Sequence, residues 1–254
     1  MGTLEFDGKA AARLERMYVT PEAVEQRAFV RSLLEPRAGE RILDVGVGPG
    51  FLAAEVMGDV GPAGSVVGID VSGEMLKLAE SRLVGVDLLS ADCTSLPFSA
   101  DSFDGAVAVQ VYEYVADVGA ALRELARVLR PGRRAVVVDT DGASVSWRGG
   151  DESRAERILE VWEGHVPHPD LPRRLPSLCA EAGLALRAQR RFPIVNTTWS
   201  ERTFGVALLE LVLGYVTEHG VDPAEARAWR AELRSSSDYS FSLERSVFLV
   251  QNEA

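Results

Sequence analysis

The sequence predicts an α/β protein: a mostly parallel sheet with helices on both faces. Three observations carry that reading. Short β-branched runs alternate with amphipathic stretches over the first 140 residues. The runs are apolar throughout rather than alternating, as strands covered on both sides are. The first run ends in a glycine cluster that leads directly into a helical pattern.

Taken in order, Thr20-Pro21 opens a helix, with Thr as N-cap and Pro at the first helical position. Val24, Phe29 and Leu33 are expected on its apolar face. Residues 41–45 read as the first strand and 51–60 as a helix. A second strand covers 65–70, a helix 73–83, and a short strand 84–89. A fourth strand covers 104–110, a helix 118–129, and a fifth strand 134–139. Beyond Asp141 the pattern loosens. Helices are expected over 151–164, 171–182 (ended by Gly183), 203–219 (closed by Gly220) and 223–235. Strands are expected over 184–192 and 239–251. Seven strands result, the last expected antiparallel. A single domain is expected, with its core at about 37–141, an N-terminal helical lid over 1–36, and a substrate-side cap with the final strands over 142–254. In open sheets of this kind ligands bind beyond the carboxyl ends of the strands, so the elements after Asp141 are candidates to cover that edge.

Composition removes several function classes. The 254 residues carry 27 basic and 38 acidic side chains, a net charge of −11. A nucleic-acid-binding surface needs a basic footprint, and anionic lipid attracts basic segments, so neither partner is expected. Cys93 and Cys179 are the only cysteines and are far apart, which implies neither a disulfide framework nor a thiolate metal site. The first residues lack an apolar signal core, and the apolar stretch Phe204 to Val216 is too short to span a bilayer. A cytoplasmic protein without membrane insertion is the expectation. Twenty-five of the 27 basic residues are Arg, a bias that GC-rich coding explains more simply than function does.

The sharpest feature is Ile42-Leu-Asp44-Val-Gly46-Val-Gly48-Pro-Gly50. Glycine there lets the backbone turn tightly and approach a ligand. The dinucleotide fingerprint Gly-x-Gly-x-x-Gly fails, because counted from Gly46 its third small residue falls on Phe51. Asp44 instead places a carboxylate beside the turn, which suits a cationic ligand. Asp70 ends the second strand 22 residues after Gly48, where a ribose diol would lie. Asp92 follows the third strand, where a carboxylate can accept from an adenine amine. Apolar Ile69, Val71 and Met75 could sandwich the base. Each acid alone could be a helix cap, but their common register with one nucleoside favours a ligand site.

These residues resemble the class I S-adenosylmethionine-dependent methyltransferases, whose fold is Rossmann-like. The resemblance is strong over about 37–140 and looser beyond. It rests on the glycine loop, Val66-Val-Gly-Ile-Asp70, Ala91-Asp92, Phe98 to Asp104, and Leu125-Ala-Arg-Val-Leu-Arg-Pro131-Gly132. It implies that Asp44, Gly46, Gly48 and Gly50 hold the methionine end of S-adenosylmethionine. It also implies that Asp70 binds the ribose and Asp92 the adenine amine. Cys93, next to Ala91-Asp92, would offer its N–H to the ring, and Gln110 would lie beside the sulfonium. Tyr18 and Arg27, ahead of the first strand, would reach the carboxylate. Arg133 stands where relatives often have glycine, and Tyr114 where many have histidine.

The donor is better specified than the acceptor. The expected function is methyl transfer to a small molecule through an O-, N- or C-nucleophile, a secondary metabolite or quinone-like compound, with S-adenosylhomocysteine as product. The alternative is a protein of the same fold catalysing a cyclisation or acting as a non-catalytic partner. The acceptor pocket is expected near Gln110 to Tyr114, Asp139-Thr-Asp141 and the later segments. His165 and His168 are the candidate bases, imidazole titrating near neutrality, with Tyr112 a further candidate. The alternative for both histidines is a loop pair next to a helix, and His219 before Gly220 reads as structural. No metal is expected: His165 and His168 lack a third His or Cys, and Asp139 with Asp141 is too small a ligand set. An arsenite-type activity would need more thiols than Cys179 alone. Trp147, Trp162, Trp199 and Phe204 read equally as a pocket wall or as packing. The oligomeric state, monomer or homodimer, is left open.

Overall fold

The computed structural model describes residues 8–253. The elements in chain order are α1 (Gly8–Tyr18), α2 (Pro21–Leu34), β1 (Arg41–Val45), α3 (Phe51–Val60), β2 (Ser65–Asp70), α4 (Gly73–Arg82), β3 (Asp87–Ser90), β4 (Phe103–Val109), α5 (Val118–Val128), β5 (Leu129–Thr140), β6 (Ser146–Arg148), α6 (Glu152–Glu163), α7 (Leu171–Glu181), β7 (Leu184–Asn196), α8 (Phe204–Glu218), α9 (Pro223–Ser235) and β8 (Ser240–Asn252). They form two compact units. The core unit comprises Arg27–Asp139, Leu171–Arg191 and the residues from Ser246 on. The second comprises the described residues up to Gln26, Thr140–Asp170 and Phe192–Arg245.

In the core unit the strands run in the order β3-β2-β1-β4-β5-β8, with β7 paired to β8. The pairs β1–β2, β1–β4, β2–β3 and β4–β5 are parallel. Ile42, Leu43 and Val45 of β1 and Ala106, Val107 and Ala108 of β4 are sealed from solvent, which explains their unbroken apolar runs. Helix α5 starts where Asp117 accepts from the Ala120 N–H (2.8 Å). It buries Val118, Ala121, Leu122, Leu125 and Val128, the 3.6-residue stripe of an amphipathic helix. At the amino ends of the strands Arg133 pairs with Glu40 (3.1 Å) and Asp104 (3.4 Å), so the residue that replaces a family glycine serves an ion network away from the glycine loop.

Several boundaries differ from the sequence reading. Strand β3 begins at Asp87, not residue 84, because Gly85 turns with φ +78° and Val84 is left exposed. β4 stops at Val109 because Gln110 adopts a left-handed φ of +58°. The eighth strand, β6, is three residues long and has no β-branched run to announce it. In α2 the buried apolar side chains are Ala23, Val30 and Leu34, and Val24 is exposed. The expected face of Val24, Phe29 and Leu33 was misplaced because Gln26 and Arg27 are buried polar residues on the true one. Thr20 does cap the helix, accepting from the Ala23 N–H (3.4 Å).

The second unit is organised by α8, which is apolar on nearly every side and buries eleven of its residues, with α1, α6 and α9 packed on it. Its first N–H groups are satisfied from outside the helix: Phe204 donates to Glu22 (3.3 Å) and Gly205 to Asn196 (2.8 Å). Trp147 on β6 sits opposite Phe241 on β8, with ring centroids 4.7 Å apart, and meets Trp229 edge-on at 5.7 Å. Its indole N–H donates to the Gly205 carbonyl (3.2 Å). Trp147, Trp162 and Phe204 are therefore interior packing residues of this unit. Trp147→Ala is expected to cost about 3–5 kcal/mol, the usual range for deleting a buried large aromatic. A chemical-denaturation midpoint within error of wild type would show that the indole is not part of this core.

Candidate functional site

β1 delivers Asp44 to the carboxyl edge of the sheet, and the chain then turns through Gly46 (φ +67°), Gly48 (+52°) and Gly50 (+84°) before α3 begins. All three values lie in the left-handed region that glycine adopts without steric cost. Gly50 is further enforced by α4: an added Cβ would lie 2.8 Å from Leu83 and 3.3 Å from the Ala79 backbone. Gly68 on β2 clears the space beneath the loop, where a Cβ would meet Val47 at 2.8 Å. The Val47 N–H donates to the Ile69 carbonyl (2.8 Å), tying loop to sheet.

Asp44 is 3 % exposed, and its Oδ2 is buried with no hydrogen bond among the described residues. Burial pushes its carboxyl up to about 8, with the nearby Asp70 adding to the rise. A buried acceptor left in this condition is costly unless a donor or cation arrives. Asp70 is held differently. Its Oδ2 accepts from the Gly48 N–H (2.9 Å) and its Oδ1 from the Ser72 N–H (2.9 Å). Burial raises its carboxyl, and the N–H donors of Ser72, Gly48 and Val71 oppose the rise. Each oxygen keeps a second lone pair, so the carboxylate can brace the loop and still accept from a diol.

Beside Asp70, Val71 is 72 % exposed while Met75 is buried at the first turn of α4. The Ala91 N–H donates to the Asp70 carbonyl (3.2 Å), which brings the β3 loop alongside. Asp92 is exposed, and its Oδ1 accepts from both the N–H and the hydroxyl of Thr94 (2.8 Å each). The Cys93 thiol points into the core, and burial pushes it up to about 12. A group offering a cation to Asp44, a vicinal diol to Asp70 and an aromatic base to Val71 fits this edge; S-adenosylmethionine has those three parts.

Arg27 is buried, donates to Glu55 (2.8 Å) and lies 5.2 Å from the centroid of Phe51. Arg82 covers Phe51 at 3.8 Å and donates to the Pro49 carbonyl. The residue that breaks the dinucleotide fingerprint is thus gripped by two guanidinium groups. Sequence reading missed Arg82, since a basic residue in a last helical turn is explained by the helix dipole alone.

The core unit therefore gathers Asp44, the glycines, Asp70, Val71, Met75, Ala91, Asp92 and Cys93, together with Arg27 and Gln110. Tyr18, His165 and His168 belong to the second unit. Tyr18 ends α1 and is half-buried. Tyr112 is 1 % exposed within the apolar core, with its hydroxyl lacking a hydrogen bond among the described residues. Burial, with Cys93, Asp139 and Cys179 nearby, holds the phenol well above 10. That placement turns it away from solvent and is a poor one for a proton acceptor.

His165 stacks on Trp162 (centroids 3.6 Å), and its Nδ1 lies 2.5 Å from the Trp162 carbonyl. The ring therefore carries its proton on Nδ1. Burial, with a smaller contribution from Arg245, lowers it to about 4. The unfolded chain takes up this proton near pH 6.5 while the folded one resists it, so the ring's contribution to stability is intact above pH 6.5 and lost as pH falls towards 4. His165→Gln is expected to narrow the difference in melting temperature between pH 7 and pH 4.5; an undiminished difference would show that the ring titrates normally. His168 lies half-buried in the turn after α6. His219 stacks on Tyr215 (3.9 Å) with Nδ1 2.7 Å from its carbonyl, a helix-end role. Among the described residues no three His, Cys, Asp or Glu side chains converge as a metal set, and no helix is long and apolar enough to cross a membrane.

Comparison with known proteins finds the following likenesses. The methyltransferase-domain family matches residues 43–137. An uncharacterised 37.1 kDa protein in transposon TN4556 of Streptomyces fradiae is 34 % identical over 178 residues, 68 % of this chain and 51 % of that protein. The ubiquinone/menaquinone biosynthesis C-methyltransferase UbiE of Pseudomonas putida is 34 % identical over 119 residues, 44 % of this chain and 46 % of that protein. The chain thus spans about half the length of the curated relatives it matches. Among solved structures the [4+2]-cyclase SpnF superposes with a TM-score of 0.59 at 22 % identity, covering 91 % of this chain and 81 % of that one, which is a likeness of fold. The matched segment, which holds Asp44, the left-handed glycines and Asp70, is a methyltransferase domain of the kind that class I S-adenosylmethionine-dependent methyltransferases carry.

Proposed function

We propose that the chain binds S-adenosylmethionine at the β1–β2–β3 edge and transfers its methyl group to a small-molecule acceptor. The observation that carries this reading is Asp44, a buried carboxyl whose Oδ2 has no hydrogen-bond partner among the described residues, beside three left-handed glycines. Asp44 would pair with the α-ammonium, Asp70 would accept from the ribose hydroxyls, and Val71 and Met75 would cover the adenine, with Asp92 accepting from its amine. When bound, the cofactor supplies a methyl group already activated on a sulfonium. The protein's own task is alignment and exclusion of water. A base is needed only for a nucleophile that is protonated at neutral pH, and neither the lowered His165 nor the enclosed Tyr112 is suited to that work. The name of the UbiE relatives and the net charge of −11 support a quinone-like or other secondary metabolite over nucleic acid.

The second reading is a cyclisation or rearrangement in the same fold. The poor proton acceptors and the likeness to a cyclase favour it. The experiment that separates the two is supply of S-adenosylmethionine with pooled small metabolites and mass-spectrometric measurement of S-adenosylhomocysteine. Stoichiometric release with a product 14 Da heavier supports methyl transfer. An isomerised product without release supports the second reading.

A further inference from the structure

The last turn of α4 is fastened to the glycine loop. Arg82 Nη1 donates to the Pro49 carbonyl, and its guanidinium lies 3.8 Å from the centroid of the Phe51 ring. Arg27, which donates to Glu55 on α3 (2.8 Å), approaches the same ring at 5.2 Å. Leu83, the next residue along, packs against Gly50. The start of α4 is fastened as well. Ser72 caps the helix, its Oγ accepting from the Met75 N–H (3.3 Å). The Ser72 N–H donates to Asp70 (2.9 Å), which also takes the Gly48 N–H (2.9 Å). Asp70 thus holds the loop at Gly48, and Arg82 holds it at Pro49, just ahead of α3.

These two anchorages govern different parts of the site. A loop with glycine at alternate positions has wide conformational freedom, so ordering it weakens binding unless the fold orders it first. The start of α3 supplies no such order: its N-cap is Gly50, without a side-chain hydrogen bond. Asp70 fixes the half of the loop beside the expected ribose. Arg82 fixes the half that runs into α3, on the side of the methionine end. A guanidinium suits this position, because it donates to a carbonyl in its own plane while its face covers an aromatic ring.

We propose that Arg82 is a positioning residue that pre-orders Pro49, Gly50 and the first turn of α3 for the amino-acid end of the cofactor and not for its nucleoside; this rests on the cofactor reading above. S-adenosylhomocysteine carries both ends, and methylthioadenosine is the same nucleoside thioether without the amino acid. The affinity of each is read from the rise in melting temperature with ligand concentration, for wild type, Arg82→Met and Phe51→Leu. Arg82→Met keeps the length and apolar cover of the side chain without its charge or hydrogen bonds; Phe51→Leu removes the ring. Arg82→Met is expected to weaken S-adenosylhomocysteine by about tenfold, the scale of a lost charged hydrogen bond, and methylthioadenosine by less than about twofold. Phe51→Leu is expected to act on the two ligands in the same unequal way. Hydrogen exchange of ligand-free Arg82→Met should quicken over residues 50–54, where the Gly50 N–H donates to the Val47 carbonyl and the Ala54 N–H to the Gly50 carbonyl (3.0 Å each), and not over 70–73. Equal weakening of both ligands, an unchanged affinity for S-adenosylhomocysteine, or quickening over both segments would mean that Arg82 only supports the fold, and would overturn the proposal. If Arg82→Met does not fold, Phe51→Leu carries the test. A folded wild type that binds neither ligand overturns the cofactor reading and this proposal together, whereas an equal effect on both ligands overturns only the proposal.

Discussion

Asp44→Asn is expected to reduce affinity for S-adenosylhomocysteine by about a hundredfold or more, while making the ligand-free protein more stable at alkaline pH. Removing one partner of a buried ion pair typically costs about 3–5 kcal/mol, because the other charge is left unpaired. The two effects have one cause. The Asp44 carboxyl is raised to about 8 in the folded chain, from an ordinary 3.8. A raised carboxyl favours the folded state at low pH, and that advantage is lost as pH rises from about 4 to about 8. At pH 8.5 the wild type carries a desolvated charge that Asn lacks, so the variant's melting temperature should be higher there. The same proton governs binding. Between pH 6 and pH 7.5 the ligand's α-amino group stays charged while Asp44 must release its proton, so affinity should rise by up to about tenfold per pH unit. Asp44→Asn should flatten that rise. A variant that binds as tightly as wild type would remove Asp44 from the site.

Asp70→Ala is expected to weaken binding by at least about tenfold, or 1.4 kcal/mol, the scale of lost hydrogen bonds to a buried partner. The structure adds a second consequence. Asp70 holds the Gly48 and Ser72 N–H groups, so its loss should also loosen the glycine loop and the start of α4. Hydrogen exchange should quicken over residues 46–50 and 70–73 in the ligand-free variant. Lost affinity with unchanged exchange would confine Asp70 to the ribose; quickened exchange with unchanged affinity would confine it to the loop.

Much of this was legible because the informative residues are local. A strand, a glycine turn and a helix announce themselves between residues 41 and 60, and acids at successive strand ends need only the parallel order to converge. The parts that were missed depend on long-range contact. Arg82 reaches Pro49 and Phe51 from another helix, and no spacing rule connects them. The buried face of α2 differs from the expected one because the polar Gln26 and Arg27 lie on it, Arg27 against Glu55 and Phe51. The enclosure of His165 under Trp162 and of Tyr112 in the core depends on tertiary packing that residue type does not report.

The glycine loop with Asp44 and Asp70 is read above as the site that binds S-adenosylmethionine and its demethylated product. Calorimetric titration of S-adenosylhomocysteine into the folded wild-type chain at pH 6 and pH 7.5 tests it most directly. Saturable binding of one ligand per chain is expected, with about tenfold or greater tightening at the higher pH as Asp44 gives up its proton. No heat of binding at either pH from protein shown to be folded by circular dichroism would contradict it.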